Sequence, residues 1–204
     1  MKIGLYFGSF NPIHIGHLII ANSVLNETEI DRLWFVVSPQ NPFKKTNTLL
    51  NEYHRLHLVR LAIQDNPRMK VTDIEFSLPR PSFTVNTMAY LTEKYPENNF
   101  SIIMGADGFQ NLNKWKNFEN IIQNYPICVY KRNGFEIKNR FNAKLTILDS
   151  PLIEISATQI RKLIIKQKSI RYLVPEIVRE EIESRRFFVA QAKKDNPATG
   201  NPKQ

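Results

Sequence analysis

Two repeating patterns of apolar and polar residues alternate along this chain. Short apolar runs rich in Val, Ile, Leu and Phe are typical of buried strands, and the segments between them follow a helical period. The predicted strands are residues 2–7, 32–38, 69–74, 100–104, 127–130, 145–148 and 152–155. The predicted helices are residues 17–26, 52–64, 85–95, 118–124, 157–166 and 175–184, with Thr84 as the N-cap of the third and Pro175 as the first residue of the last.

Alternation of strands with helices predicts an α/β fold, in which helices cover both faces of a parallel sheet. The 204 residues, of which 42% are hydrophobic, suffice for one sizeable core, and no repeat or compositional break marks a second domain. We therefore expect a Rossmann-like, doubly wound sheet in one domain, residues 1–189, followed by a disordered tail at 190–204 that lacks an apolar period. Ligands of such sheets bind at the carboxyl ends of the strands.

The charge and cysteine content narrow the classes of partner and location. The 28 Lys and Arg residues outnumber the 19 Asp and Glu residues, which favours anionic partners, although a solvated basic surface is the simpler explanation. The basic runs are too short to form a nucleic-acid stripe, so we expect no nucleic-acid partner. Cys128 is the single cysteine, which excludes an internal disulfide framework. No apolar run reaches the length of a membrane span or a signal peptide, so we expect a cytoplasmic protein without membrane contact.

The strongest chemical pattern is the run GSFNPIHIGH at residues 8–17, between the first strand and the first helix. Gly8 ends the strand where a side chain would block the approach of a ligand to the backbone. His14 and His17 lie three residues apart at the helix start, and Gly16 leaves the flank between them open. Backbone N–H groups and the helix dipole favour a phosphate there, and two imidazoles can donate to its oxygens. A metal site is the alternative, but no further ligand lies nearby, so we predict none.

A second phosphate-binding pattern occurs late in the chain, in the run ISATQIR at residues 155–161. Ser156 and Gln159 have the spacing of a capping box, which is also the ordinary structural explanation of the pair. Thr158 adds a second hydroxyl, and Arg161 adds a guanidinium that can hold a leaving pyrophosphate. Together with the predicted strand at 152–155, these features predict a second phosphate-binding helix start.

Together these two runs resemble the motifs of the nucleotidyltransferase superfamily, whose first motif is Gly-x-Phe-x-Pro-x-His-x-Gly-His. In that superfamily the late element binds the phosphates of ATP and pairs with the first motif. The resemblance implies that His14, His17 and Arg161 are the catalytic residues. It also implies ATP binding by the remaining motif residues, which are Gly8, Ser9, Phe10, Gly16, Ser156 and Thr158.

Within the superfamily the chain is similar to the bacterial nicotinate mononucleotide adenylyltransferases, up to about residue 188. The run SPQNPFK at 38–44 resembles their Pro-x-x-x-Pro-His-Lys loop, with Phe43 in place of His, and implies ATP binding by Lys44. The run RPSFT at 80–84 resembles a Pro-Ser-Tyr-Thr segment that holds the pyridine carboxylate, with Phe83 in place of Tyr beside Thr84.

Three further residues of the resemblance concern the mononucleotide. Asp107 matches an Asp that binds ribose hydroxyls, Trp115 matches an indole that stacks on the pyridine ring, and Lys116 follows it as in the family. Each has an ordinary explanation that stays open, since Asp107 could cap a helix and Trp115 could pack in the core.

The resemblance implies transfer of the adenylyl group of ATP to nicotinate mononucleotide, with Mg²⁺ bound to ATP, and leaves a homo-oligomer open. Three alternatives share part of the pattern. Pantetheine-phosphate adenylyltransferases resemble the first motif, but typically carry Thr or Asn at the position of His14 and lack the Pro-Ser-x-Thr and Trp elements. Class I aminoacyl-tRNA synthetases share the His-Ile-Gly-His string, but this chain has no room for their tRNA-reading domains. A basic nucleotide- or RNA-binding module without activity stays an alternative, although an RNA-binding module would have no need for two phosphate sites.

Overall fold

The strands and helices of the chain alternate as its sequence predicts. A computed structural model describes residues 1–40 and 49–189. The strands are β1 (Lys2–Gly8), β2 (Arg32–Val37), β3 (Met69–Thr72), β4 (Asn99–Gly105), β5 (Ile127–Tyr130) and β6 (Leu145–Leu148). The α-helices are α1 (Ile15–Glu27), α2 (Glu52–Ile63), α3 (Thr84–Lys94), α4 (Ala106–Gln110), α5 (Phe118–Asn124), α6 (Ala157–Ile165) and α7 (Glu176–Ser184). Two short 3₁₀ helices span Ile74–Phe76 and Leu112–Lys114.

All six strands form one parallel sheet in the order β3-β2-β1-β4-β5-β6. The chain moves outwards from β1 to β3 and then returns to add β4 on the other side of β1. The strand order therefore reverses between β1 and β4, which is the position where doubly wound sheets bind their ligands. This arrangement confirms the predicted Rossmann-like fold.

The core has two layers, one on each face of the sheet. Along β2, Leu33, Phe35 and Val37 belong to one hydrophobic cluster, whereas Trp34 and Val36 belong to the other. Successive side chains of a strand point to opposite faces, so a strand that is buried on both sides must be apolar throughout. The continuous apolar run of β2 thus reflects its position inside the sheet.

Several predicted boundaries are wrong. The predicted strand at 152–155 is absent: residues 151–156 have no regular secondary structure, and Ile153 lies against Gly16 of α1 instead of extending the sheet. The third strand is shorter than predicted and is followed by the 3₁₀ helix at Ile74–Phe76. The N-cap of α3 is Phe83, so Thr84 is the first helical residue, and Pro175 is the N-cap of α7.

Two expectations about the whole chain can be compared with the structure only for the described residues. Among those residues, no helix is both long enough and apolar enough to cross a membrane. The predicted boundary between the domain and its tail lies at residue 189, and residues 190–204 lie outside the described part. The disordered tail therefore stays a prediction.

Candidate active site

A cleft of about 440 Å³ lies at the carboxyl ends of the central strands. The loops that follow β1, β4 and β5 form its walls, together with the start of α3 and the start of α6. Nearly all of the predicted site residues line it: Gly8, Ser9, Phe10, His14, His17, Phe83, Thr84, Asp107, Trp115, Lys116, Ser156, Thr158 and Arg161. Gly16 does not line the cleft, and Lys44 lies outside the described residues.

The loop after β1 is shaped by the ring of Phe10. Gly8 is the last residue of the strand, and a Cβ atom there would lie 2.7 Å from Cζ of Phe10. Phe10 is buried and has a φ of +45°, so the chain folds its own aromatic ring back over Gly8. The small residue at position 8 is thus required by packing within the loop, whatever ligand approaches it.

The two histidines of the first motif form one stacked pair. His14 is the N-cap of α1, His17 is in its first turn, and their ring centroids are 3.7 Å apart with 26° between the planes. The backbone N–H of His14 donates to Nδ1 of His17 at 3.3 Å, which places the proton of a neutral His17 ring on Nε2. Burial, followed by the charge of Arg132, lowers the pKa of His14 to about 4. His14 is therefore neutral at physiological pH.

Gly16 contributes to the histidine pair because it has no side chain. A Cβ atom at this position would lie 3.0 Å from Nδ1 of His14 and 3.0 Å from Cγ2 of Ile153. The predicted open flank of α1 is accordingly filled by an imidazole and by the segment that precedes α6. Gly16 therefore acts through the position of His14 and not as a wall of the cleft.

The late motif contacts the first motif directly. Ser156 caps α6, since its Oγ accepts the backbone N–H of Gln159 at 3.2 Å, as the capping-box spacing predicts. The guanidinium of Arg161 donates to the carbonyl oxygen of Asn11 at 2.7 Å and to Oγ1 of Thr158 at 3.3 Å. One side chain thus joins two motifs that lie 150 residues apart in the chain.

The other end of the cleft is built from the start of α3 and the segment before α5. The first helical N–H groups with a backbone partner are those of Asn86 and Thr87, both bonded to the carbonyl of Phe83. The N–H groups of Thr84 and Val85 precede them, as is usual in a first turn. Nζ of Lys116 lies 4.7 Å from the centroid of the Phe83 ring. Together these groups give this end N–H donors and a positive charge.

Trp115 and Asp107 lie on the β4 side of the cleft. Trp115 is half-buried and packs partly against the core, which agrees with the core-packing explanation, and it also lines the cleft. Its stacking on a pyridine ring stays a prediction. Asp107 is in the first turn of α4, which Gly105 caps, and its Oδ1 lies over Gly105, where a Cβ atom would come within 2.4 Å. The helix-cap explanation of Asp107 is therefore wrong.

Sequence reasoning missed one basic residue of the cleft. Arg132 follows β5 by two residues, and its Nη2 donates to the hydroxyl of Tyr130 at 3.4 Å. Its Nε lies 3.7 Å from Oδ1 of Asp107, and its charge helps to lower the pKa of His14. The hydroxyl of Tyr130 also accepts from the buried hydroxyl of Tyr6 at 3.3 Å. A basic residue just beyond a central strand is the pattern that could have indicated it.

A buried carboxyl group is the second residue that was missed. Glu75 lines the cleft, is almost fully buried, and accepts a hydrogen bond from Oγ1 of Thr87 at 2.9 Å. Burial raises its pKa. Among the described residues, no three His, Cys, Asp or Glu side chains group together as a metal site would require. Glu75 thus stands apart from the other acidic groups and supports α3 through Thr87.

Comparison with known proteins supports one family. The sequence profile of the cytidylyltransferase-like family matches residues 5–163. The chain is 52% identical over 191 residues to a probable nicotinate-nucleotide adenylyltransferase of Flavobacterium psychrophilum, with 92% of this chain and 99% of that protein covered. A protein of the same name from Bacteroides fragilis is 43% identical, with 89% and 90% covered.

Solved structures share the fold at lower identity. The nicotinic acid mononucleotide adenylyltransferase of Plasmodium falciparum, solved in complex with NaAD, superposes with a TM-score of 0.79 at 20% identity, covering 92% of this chain and 97% of that chain. A putative nicotinate-nucleotide adenylyltransferase of Vibrio parahaemolyticus gives a TM-score of 0.69 at 21% identity, covering 89% and 98%. At such identities the likeness concerns the fold.

Proposed function

Since the chain belongs to the cytidylyltransferase-like family, among the nicotinate-nucleotide adenylyltransferases, we propose that it transfers the adenylyl group of ATP to nicotinate mononucleotide. The products are nicotinate adenine dinucleotide and pyrophosphate. The observation that carries this proposal is the meeting of the two motifs: Arg161 bonds the carbonyl of Asn11 beside the stacked histidines, so two phosphate-binding helix starts share one cleft. Its other end offers N–H donors and an indole, which suit a planar acid.

The reaction needs positioning and charge stabilisation and no covalent enzyme intermediate. A nonbridging oxygen of the mononucleotide phosphate attacks the α-phosphorus of ATP in line. The bond from the α-phosphorus to the bridging oxygen breaks, and pyrophosphate leaves with that oxygen. Because the nucleophile is already an anion, no general base is required. Mg²⁺ enters as part of the ATP complex.

The two histidines are suited to the reacting phosphate as hydrogen-bond donors. His17 carries its proton on Nε2, because Nδ1 accepts the backbone N–H of His14. A neutral imidazole donates to a phosphate oxygen without first having to be charged inside a buried site. Arg132 supplies the positive charge here, since it lies near enough to lower the pKa of His14.

The start of α6 is suited to the β and γ phosphates of ATP. Ser156 and Thr158 place two hydroxyls in its first turn, where the helix dipole also favours an anion. A guanidinium has five N–H donors, so Arg161 can keep its bonds to Asn11 and Thr158 and still bind a phosphate. Lys44 keeps its predicted role in ATP binding, although it lies outside the described residues.

The mononucleotide would bind at the opposite end of the cleft. The N–H groups at the start of α3 and the charge of Lys116 suit the pyridine carboxylate, and Trp115 suits the ring. Asp107 would accept hydrogen bonds from ribose hydroxyls. The cytoplasmic location and the homo-oligomer stay predictions.

A pyrophosphate-release assay tests the function directly. Purified protein with Mg²⁺ and ATP should release pyrophosphate with nicotinate mononucleotide at the highest kcat/KM among nicotinate mononucleotide, its amide counterpart and phosphopantetheine. Preference for phosphopantetheine would move the chain to the pantetheine-phosphate branch. No release with any of the three would favour a binding module without enzymatic activity.

A further inference from the structure

The largest fully buried side chain outside the cleft is a cation. Arg55 lies in α2 with no exposed surface, and no carboxylate among the described residues forms an ion pair with it. Glu52 stabilises its charge from further away. Burial lowers its pKa to about 10, so the side chain is still charged at neutral pH. A buried cation of this kind requires other polar groups around it.

Four backbone carbonyls surround this guanidinium. Nη1 donates to the carbonyls of Ser9 at 2.6 Å and Ser38 at 2.8 Å, Nη2 to that of Pro39 at 3.2 Å, and Nε to that of Leu50 at 2.8 Å. Ser9 belongs to the loop after β1, and Ser38 and Pro39 follow β2. Arg55 thus holds together the loops at the carboxyl ends of two neighbouring strands.

The same part of the structure is bonded from the cleft side. Oδ1 of Asn11 accepts the backbone N–H of Leu50 at 3.1 Å, and the carbonyl of Asn11 accepts from Arg161 at 2.7 Å. The loop at 9–11 is therefore held by Arg55 on its buried side and by Arg161 on its cleft side. Any shift of the Ser9 carbonyl would be transmitted to this loop, next to the two histidines.

We propose that Arg55 is a positioning residue for adenylyl transfer, which fixes residues 8–10 against the reacting phosphates by holding the carbonyls of Ser9, Ser38 and Pro39. The inference rests on the proposed function for the reaction that is affected. Only a planar guanidinium can serve four carbonyls spread around it; an ammonium places all its donors on one atom, and an apolar side chain leaves the carbonyls without partners.

An exposed arginine at the opposite end of the sheet serves as the control. Arg68, just before β3, donates to the carbonyls of Leu25 at 3.1 Å, Ile30 at 2.8 Å and Asp31 at 3.1 Å. It makes the same kind of contact far from the cleft, at the amino ends of the strands. Loss of Arg68 should therefore affect local order there and leave catalysis unchanged.

The experiment compares Arg55→Lys with Arg68→Lys. Both are assayed with ATP and nicotinate mononucleotide at a temperature where circular dichroism shows them folded. Arg55→Lys should lower kcat about ten- to a hundredfold while KM for the mononucleotide stays within threefold of wild type. Amide hydrogen exchange should become faster in peptides covering residues 7–12. Arg68→Lys should keep both kinetic constants within twofold, with faster exchange confined to residues 25–31.

The outcomes separate this inference from the proposed function. A folded Arg55→Lys with wild-type kcat and wild-type exchange at 7–12 overturns the positioning role. If Arg55→Lys does not fold, Arg55→Gln replaces it, and failure of both to fold assigns Arg55 to stability alone. If the wild-type enzyme releases no pyrophosphate with nicotinate mononucleotide, the proposed function fails. Amide hydrogen exchange still tests the positioning role in that case. Unchanged exchange at residues 7–12 in a folded Arg55 variant would overturn the role, and faster exchange would support it.

Discussion

The protonation state of His14 is coupled to folding, because its imidazole is buried against that of His17. Its pKa falls from 6.5 to about 4, so between these values the unfolded chain binds more protons than the folded one. The neutral ring therefore contributes stability that is present above pH 6.5 and is lost as the pH falls towards 4. From pH 7.5 to 5 this amounts to about 2 kcal/mol.

Urea denaturation of wild type and His14→Gln at these two pH values measures the effect. The amide does not titrate, so the variant should lose about 2 kcal/mol less than wild type over this range. Other titrating groups are common to both proteins and cancel in the difference. Equal losses would show that His14 is not held neutral by the fold.

His17 allows the second test at the residue scale. His17→Ala should lower kcat by about two to four orders of magnitude, the range expected when a preorganised donor to the reacting phosphate is removed. His57→Ala is the control, because that imidazole lies on α2 and bonds Glu181 at 3.0 Å. Pyrophosphate release should be near wild type for the control. A comparable rate in His17→Ala would remove His17 from the mechanism.

Single residues also show what the sequence can and cannot predict. The motif indicates that positions 8 and 16 require glycine, but not that Phe10, His14 and Ile153 fill the space beside them. Those contacts depend on how the loop folds back, which has no periodic pattern. Arg132 and Glu75 were missed for a similar reason, since each enters the cleft through tertiary packing that no periodic pattern in the sequence reports.

At the scale of elements, secondary structure is predicted correctly where the apolar pattern itself implies burial within the sheet. The short apolar runs at β1, β2 and β5 predict buried strands and form them, and α5 begins and ends as predicted. The run at 152–155 has strand-like composition but joins no strand of the sheet, and Ile153 packs against α1 instead. Whether residues 152–155 form a strand depends on pairing with a neighbouring strand, and amino-acid composition does not encode that pairing.

Helix α6 supplies the prediction at this scale. Arg161→Ala should raise KM for ATP at least tenfold and raise KM for the mononucleotide much less, because the side chain serves the late motif and its junction with Asn11. Lys162→Ala on the same helix removes an equal charge from an exposed position and should change neither constant. Steady-state kinetics with each substrate varied in turn would decide. Equal losses for both substrates would contradict the assignment of Arg161 to the triphosphate.

At the scale of the whole molecule, the doubly wound topology explains why distant segments share one site. The strand order reverses between β1 and β4, so the loops after these strands diverge and leave a cleft between them. The β1 side carries the first motif, and the chain returns at 155–161 to close that side with α6. The β4 and β5 side carries Asp107, Trp115 and Arg132. In the proposed reaction, ATP and the mononucleotide would therefore meet where the two halves of the sheet adjoin.

We expect the choice between an acid and an amide substrate to depend on the donors at the end of the cleft near α3. N–H donors at the start of α3 and the charge of Lys116 can pair with both oxygens of a carboxylate. An amide would place its NH₂ group against one of these donors and leave a group unpaired, at a cost of about 1–3 kcal/mol. Wild-type enzyme should therefore prefer nicotinate mononucleotide over its amide counterpart by at least about tenfold in kcat/KM.

Trp115 should not contribute to this preference. Stacking on an indole depends on the face of the pyridine ring, and the acid and the amide share that face. Trp115→Ala should lower kcat/KM for both mononucleotides by a similar factor, and Trp115→Phe, which keeps an aromatic face, should restore most of the loss for both. The measurement is the acid-to-amide ratio of kcat/KM in wild type and in the two variants. A ratio that collapses towards one in Trp115→Ala would assign selectivity to the indole, and a wild-type ratio near one would show dual specificity.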